Sequence, residues 1–145
     1  MQYFRRDANF TEIDHTADVG IIAEGDSLAR LFANAAFGMI YLLFAERNPM
    51  EIINRRIHLR ENSIEELMIS WLGEINYKIT VDNYTMIHIS DLVISGRDGN
   101  FGLDAQLNGG RLTDPELEIK AITYHQFYIK ELRPDHFQAR IIFDI

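Results

Sequence analysis

Between Glu51 and Ile145, apolar and polar residues alternate with period two through five segments, and this pattern constrains the fold more than any other feature. The segments are EIINRRIHLR at 51–60, YTMIHISDLVISG at 84–96, FGLDAQLNGG at 101–110, LEIKAITYHQFYIK at 117–130 and FQARIIFDI at 137–145. Period two sends successive side chains to opposite faces of a strand, so one face is buried while the other meets water. RDGN, NGG and RPDH supply turn residues between several of the segments, and adjacent hairpins imply antiparallel pairing.

Two stretches break the alternation with helical spacing. In GDSLARLFANAAFGMIYLLF, Leu28, Leu31, Phe32, Ala35, Met39, Leu42 and Leu43 form one apolar stripe, and Asp26 or Ser27 is placed to cap the first amides. In SIEELMISWLGEINYKI, Ser63 and Glu66 make a capping-box pattern ahead of Ile64, Leu67, Met68, Trp71, Leu72 and Ile75. Both stripes read as core. The elements together predict an α+β fold, a two-layer domain with a mixed, mostly antiparallel sheet packed on two helices and its other face partly free. With 145 residues, 47% of them hydrophobic, the chain suits a single domain over 1–145.

Several function classes are disfavoured by composition. Without cysteine the chain has neither disulfides nor thiolate metal sites, which fits the cytoplasm. The apolar run AAFGMIYLLFA is shorter than the roughly 18 residues a spanning helix needs, and MQYFRRDANF lacks the features of a secretory leader, so a soluble protein with no membrane is expected. A formal net charge of -8 argues against stable direct binding of nucleic acid, whose phosphates attract Lys and Arg, and favours metal ions or a basic protein partner.

The last hairpin has a register that follows from its apolar positions. Leu117, Ile119, Ala121, Phe127 and Ile129 are odd, as are Phe137, Ala139, Ile141, Phe143 and Ile145, so pairs should sum to an even number. A turn centred on Pro134 then sets Tyr124 opposite Asp144 and Thr123 opposite Ile145. On this register Lys120 projects from the face of Asp144, just past the end of the last strand, where spacing alone reads it first as a solvated lysine on an exposed strand and second as a counterion or partner contact.

A second polar passage, EIDHTADVGIIAEG, gathers Glu12, Asp14, His15 and Asp18 ahead of an apolar run. Local turns and caps would account for Asp14, Thr16 and Asp18. If Asp18 lies near the C-terminus, however, its carboxylate, that of Asp144 and the terminal carboxylate of Ile145 converge and repel unless a cation joins them. All-oxygen sites of this kind suit hard divalent ions, and adding His15 would shift the preference toward zinc or manganese. Among the other histidines, His125 falls on the apolar face of its strand and reads as a core residue; His58, His88 and His136 have no evident partner.

DHTADVGI at 14–21, LEIKAITYH at 117–125 and the terminal FDI, with SWLGEI in the second helix, resemble the archease family, in the family's order and at similar spacing. Asp14 stands where the family commonly has glutamate, and LNGGRLTDPE is shorter and less acidic than the loop many members carry. The resemblance implies a non-catalytic accessory protein that activates an RNA ligase of the cyclic-phosphate, GTP-dependent type. Such a protein promotes ligase guanylylation and multiple turnover in tRNA splicing and RNA repair. It also implies one divalent ion, calcium, magnesium or manganese, held by Asp18, Asp144 and Ile145. Lys120, Asp18 and Asp144 would act on the partner, with Asp14 and His15 as outer support. Two other classes remain open at this point: a chaperone or interaction module using the free sheet face, and a metal-dependent phosphoesterase using Asp18, Asp144 and His15.

Overall fold

Both helices start at the serines the sequence offers. In a computed structural model, which describes residues 1–14, the last by its backbone, and 18–145, α1 spans Leu28–Phe44 and α2 spans Ile64–Asp82. Ser27 Oγ accepts from the Arg30 amide at 3.0 Å, and Ser63 Oγ accepts from the Glu66 amide at 3.1 Å. The reciprocal bond of the capping box lands one residue early, with Glu66 Oε2 accepting from the Asn62 amide at 3.2 Å. At its other end α2 closes on Asn83, a residue in the left-handed region that tolerates asparagine.

The strands are β1 (Gln2–Phe4), β2 (Phe10–Asp14), β3 (Asp18–Gly25), β4 (Ile53–Glu61), β5 (Tyr84–Arg97), β6 (Asn100–Arg111), β7 (Ala121–Arg133) and β8 (His136–Asp144). They divide between two four-stranded sheets, in the orders β1-β5-β6-β4 and β2-β3-β8-β7, and the pairings are antiparallel. The α+β class is as expected; the strands, however, make two sheets where the period-two segments suggested one. The difference comes from β1, β2 and β3, which alternation does not reveal: β1 has three residues, and the apolar run of β3 is nearly continuous.

Each helix touches strands of both sheets, α1 against β2, β3, β5 and β8, α2 against β4, β5, β6 and β7. This explains why α1 is buried on every side from Leu31 to Ile40, wider than the single stripe its spacing predicts. Ile21, Ala139, Ile141 and Phe143 face this layer from the second sheet, and Ile57, Ile89, Leu103 and Leu107 from the first. No helix among the described residues is long and apolar enough to cross a membrane.

The last hairpin departs from its expected register halfway along. Near the turn Ile129 faces Ala139 and Glu131 faces Phe137, the even sums that alternation requires. The four residues Tyr124–Phe127 then stand against Ile141 alone, and beyond them Thr123 faces Ile142 and Ala121 faces Asp144. Asp144 therefore lies opposite Ala121 instead of Tyr124, and Thr123 lies opposite Ile142 instead of Ile145. The bulge is built from side-chain bonds that periodicity does not register: Thr123 Oγ1 donates to the Ile142 carbonyl at 3.1 Å and accepts from the His125 amide at 3.3 Å. Gln126 takes a positive φ of 53° and accepts from Arg140 Nη2 at 2.9 Å. His125 is consequently exposed on the bulge and is not a core residue. Ile119 misled the register, because it is buried from outside β7 and not through a strand face.

His58, His88 and His136 acquire partners by folding. His58 Nδ1 meets Asp104 Oδ1 and His136 Nε2 meets Glu24 Oε1, both at 2.6 Å. His88 stacks on Phe4 with ring centroids 4.3 Å apart and planes 6° from parallel, and burial holds its pKa below the ordinary 6.5. The unfolded chain thus takes up a proton at His88 before the folded one does, and stability should fall as pH drops below 6.5 toward that lowered value. The variant H88F keeps the stack and should lose less stability between pH 7 and acid than the parent in urea denaturation; an equal loss would assign the acid sensitivity to other groups.

Candidate functional site

The antiparallel ladder between β3 and β8 begins with Asp18 opposite Asp144 and continues through Val19 opposite Phe143 to Gly25 opposite Phe137. Odd residues of both strands enter the core, as Ile21, Ala23, Ala139 and Ile141 show, so the even residues Asp18 and Asp144 share the outer face at the end of the sheet. Side chains directly opposite one another in such a pair have Cβ atoms about 4.5–5.5 Å apart, and like charges there are destabilising. Asp18 is half-buried and Asp144 exposed. Neither forms an ion pair with a Lys, Arg or His side chain among the described residues.

Lys120 joins this end through its backbone. Its amide donates to the carbonyl of Asp144 at 2.7 Å, and the carbonyl of the preceding Ile119 accepts from Asn76 Nδ2 of α2 at 2.9 Å. The expected projection of Lys120 from the Asp144 face, beyond the last strand, is therefore corrected: the bulge gives that place to Ala121, and Lys120 is tied to Asp144 itself. The exposed lysine borders a groove of about 560 Å³ shared with Tyr77 and Thr80 of α2. Neither spacing nor motif marks Asn76. The signal was an asparagine inside a helix, where it is unfavourable unless its amide has a task. Here one amide group anchors the lysine segment, while Asn76 Oδ1 is buried without a partner among the described residues.

The expected outer support falls at the edge of what is described. Asp14 pairs through its backbone with Val19, while its side chain and the whole of His15 lie outside the described residues. Among the described residues no group of three His, Asp or Glu side chains is close enough to hold a metal ion. Asp18 and Asp144 make two, and Ile145, which follows Asp144 directly, is 38% exposed. Among the described residues the two aspartate side chains offer oxygen atoms alone, the chemistry that suits hard divalent ions.

The profile of the Archease protein family (MTH1598/TM1083) matches residues 10–145. A protein archease of Methanosarcina acetivorans is 29% identical over 137 residues, covering 92% of this chain and 93% of that protein. One from Saccharolobus islandicus is 32% identical, covering 85% and 89%. The solution structure of Methanobacterium thermoautotrophicum protein 1598 superposes with a TM-score of 0.75 at 25% identity, over 94% of this chain and 99% of that one. The crystal structure of a Thermotoga maritima archease, described as a possible chaperone, shares the fold at a TM-score of 0.58 and 19% identity, over 93% and 96%.

Proposed function

This chain belongs to the archease family, and from that premise we propose that it is a non-catalytic accessory protein that activates a GTP-dependent RNA ligase of the cyclic-phosphate type. The role would be to promote guanylylation of the ligase and its multiple turnover in tRNA splicing and RNA repair. One observation supports the reading above others: Asp18 stands directly opposite Asp144, and the Lys120 amide is bound to the Asp144 carbonyl. Two carboxylates kept face to face, with no cationic side chain paired to either among the described residues, cost stability, which is expected where their charge serves a partner or an ion.

Asp18, Asp144 and the carboxylate of Ile145 would hold one divalent ion, which when bound would offset their mutual repulsion and present a positive centre at the tip. Lys120, anchored through Ile119 by Asn76, would set an ammonium beside that centre without crossing it. Asp14 and His15 would support Asp18 from β2 and the segment after it. The tip would dock at the mouth of the ligase, and the covalent chemistry would remain the ligase's. A chaperone reading has one observation in its favour: β7 is an edge strand with Tyr124 and Leu132 exposed at 59% and 44%.

Ligation by a purified cyclic-phosphate-dependent RNA ligase, under limiting enzyme, separates these readings. The intact chain should restore multiple turnovers, and a chain lacking Asp144 and Ile145, or carrying K120A, should fall to the unstimulated rate while remaining folded by circular dichroism. Equal stimulation by all three would remove the tip from the mechanism. Suppressed aggregation of an unrelated denatured protein, unchanged by K120A, would favour the chaperone.

A further inference from the structure

The charge of -8 is not spread evenly, and exposed arginines gather on the outer face of the β1-β5-β6-β4 sheet. Along β4 the inward residue Ile57 is buried, while Arg56, His58 and Arg60 point outward and are exposed. Arg97 at the end of β5 is exposed as well. The acid Asp104, facing His58 across the ladder, is already engaged by that ring at 2.6 Å.

The arginines are steadied by neutral groups. Arg56 Nη1 donates to Gln106 Oε1 at 3.4 Å and Arg60 Nη1 donates to Asn100 Oδ1 at 3.1 Å, and neither pairs with a carboxylate among the described residues. Amides orient a guanidinium without cancelling its charge. Arg56 and Arg60 stand on the same face of β4, about 13 Å apart along the strand, about two phosphate steps of an extended single strand.

One end of the same face is flat and aromatic. Phe4 lies opposite His88 in the ladder and stacks on it, and the Arg6 guanidinium sits 4.7 Å above the Phe4 ring. Beside this stack opens a groove of about 900 Å³ bordered by Phe4, Arg6, Phe10, Tyr41 and Asn54, with the acid Glu46 at its margin. Rings and guanidinium planes are the surfaces on which unpaired bases stack, and the side chain of Asn54, which borders the groove, supplies a donor and an acceptor for a base edge or a 2′-hydroxyl. An acidic protein segment would satisfy the arginines but would leave the stack and groove without a use.

We propose that the outer face of this sheet binds single-stranded RNA, with phosphates on Arg56, Arg60 and Arg97 and a base stacked in the groove at Phe4 and Arg6. This reverses the expectation drawn from net charge, because composition sums what the fold segregates. The surface lies on the other sheet from Asp18 and Asp144, so this proposal and the ligase reading stand or fall separately.

Fluorescence anisotropy of a short labelled single-stranded RNA, titrated with the full chain at several salt concentrations, tests it. The parent should saturate, and R56A/R60A, whose changes are confined to exposed side chains, should bind at least about tenfold more weakly. Its slope of log affinity against log salt should be shallower by about 1.4, about 0.7 for each lost phosphate contact. K130A, on the other sheet, should bind like the parent. No saturable binding by the parent would overturn the proposal, as would unchanged affinity in a folded R56A/R60A. Equal affinity for DNA of the same sequence, or displacement by polyglutamate at matched charge, would also overturn it, leaving a general anion surface.

Discussion

Replacing Trp71 by alanine is expected to lower the unfolding free energy by about 3–5 kcal/mol, the range for emptying a buried aromatic site. Trp71 is fully buried on α2, and its indole Nε1 donates to the Phe32 carbonyl of α1 at 2.9 Å. It therefore joins the two helices, each of which touches both sheets. The carbonyl of Phe32 lies inside α1, where helix geometry already supplies an acceptor role for it, so loss of the indole bond should weigh less than loss of volume. W71F should accordingly recover more than half of the alanine deficit in urea denaturation. Equal losses in the two variants would place the hydrogen bond, and not the packing, at the centre of this joint. Since domains are stable by about 5–15 kcal/mol, the alanine variant should also unfold many degrees earlier on heating.

What the sequence made legible was local. Serine caps, helical stripes and the alternation of β4 to β8 are readable because each reports on neighbours a few residues away. Pairing between strands is not of this kind. Nothing in DVGIIAEG says that β3 lies against β8, and it is this ladder that sets Asp18 opposite Asp144. Charge and motif made that meeting conditional; the fold supplies the condition. The bulge shows the opposite failure, in which a pattern reads too smoothly: Ile119, Ala121 and Phe127 share parity, yet Tyr124–Phe127 stand against one residue and reverse the face of everything before them. Lys120 was thus singled out for the right neighbourhood by the wrong geometry, since its link to Asp144 runs through the backbone amide. Net charge does not reveal Arg56 and Arg60, because a sum of charges has no faces.

Asp144→Asn should move stability and activity in opposite directions. Without divalent ions the substitution removes one of two like charges that face each other across β3 and β8, and should stabilise the fold by about 0.2–1 kcal/mol, toward the lower figure because Asp144 is exposed and screened. Raising the salt concentration should shrink the difference, as it would for any screened repulsion. Divalent ions should reverse the order. A ligand bound only by the folded chain stabilises it by about 2.7 kcal/mol at a hundred times its dissociation constant, and the parent, with both aspartates, should gain far more than the variant. Thermal denaturation in chelator and in rising calcium, magnesium or manganese reads both halves of this expectation, and the ion giving the largest difference identifies the one the tip prefers. The same variant should fail to stimulate the RNA ligase while folding at least as well as the parent. A variant less stable in chelator would show that Asp144 makes a favourable contact that outweighs its repulsion from Asp18. Equal stabilisation of both proteins by every ion would put the metal somewhere other than this pair, and leave Asp18 and Asp144 as charges directed at the partner alone.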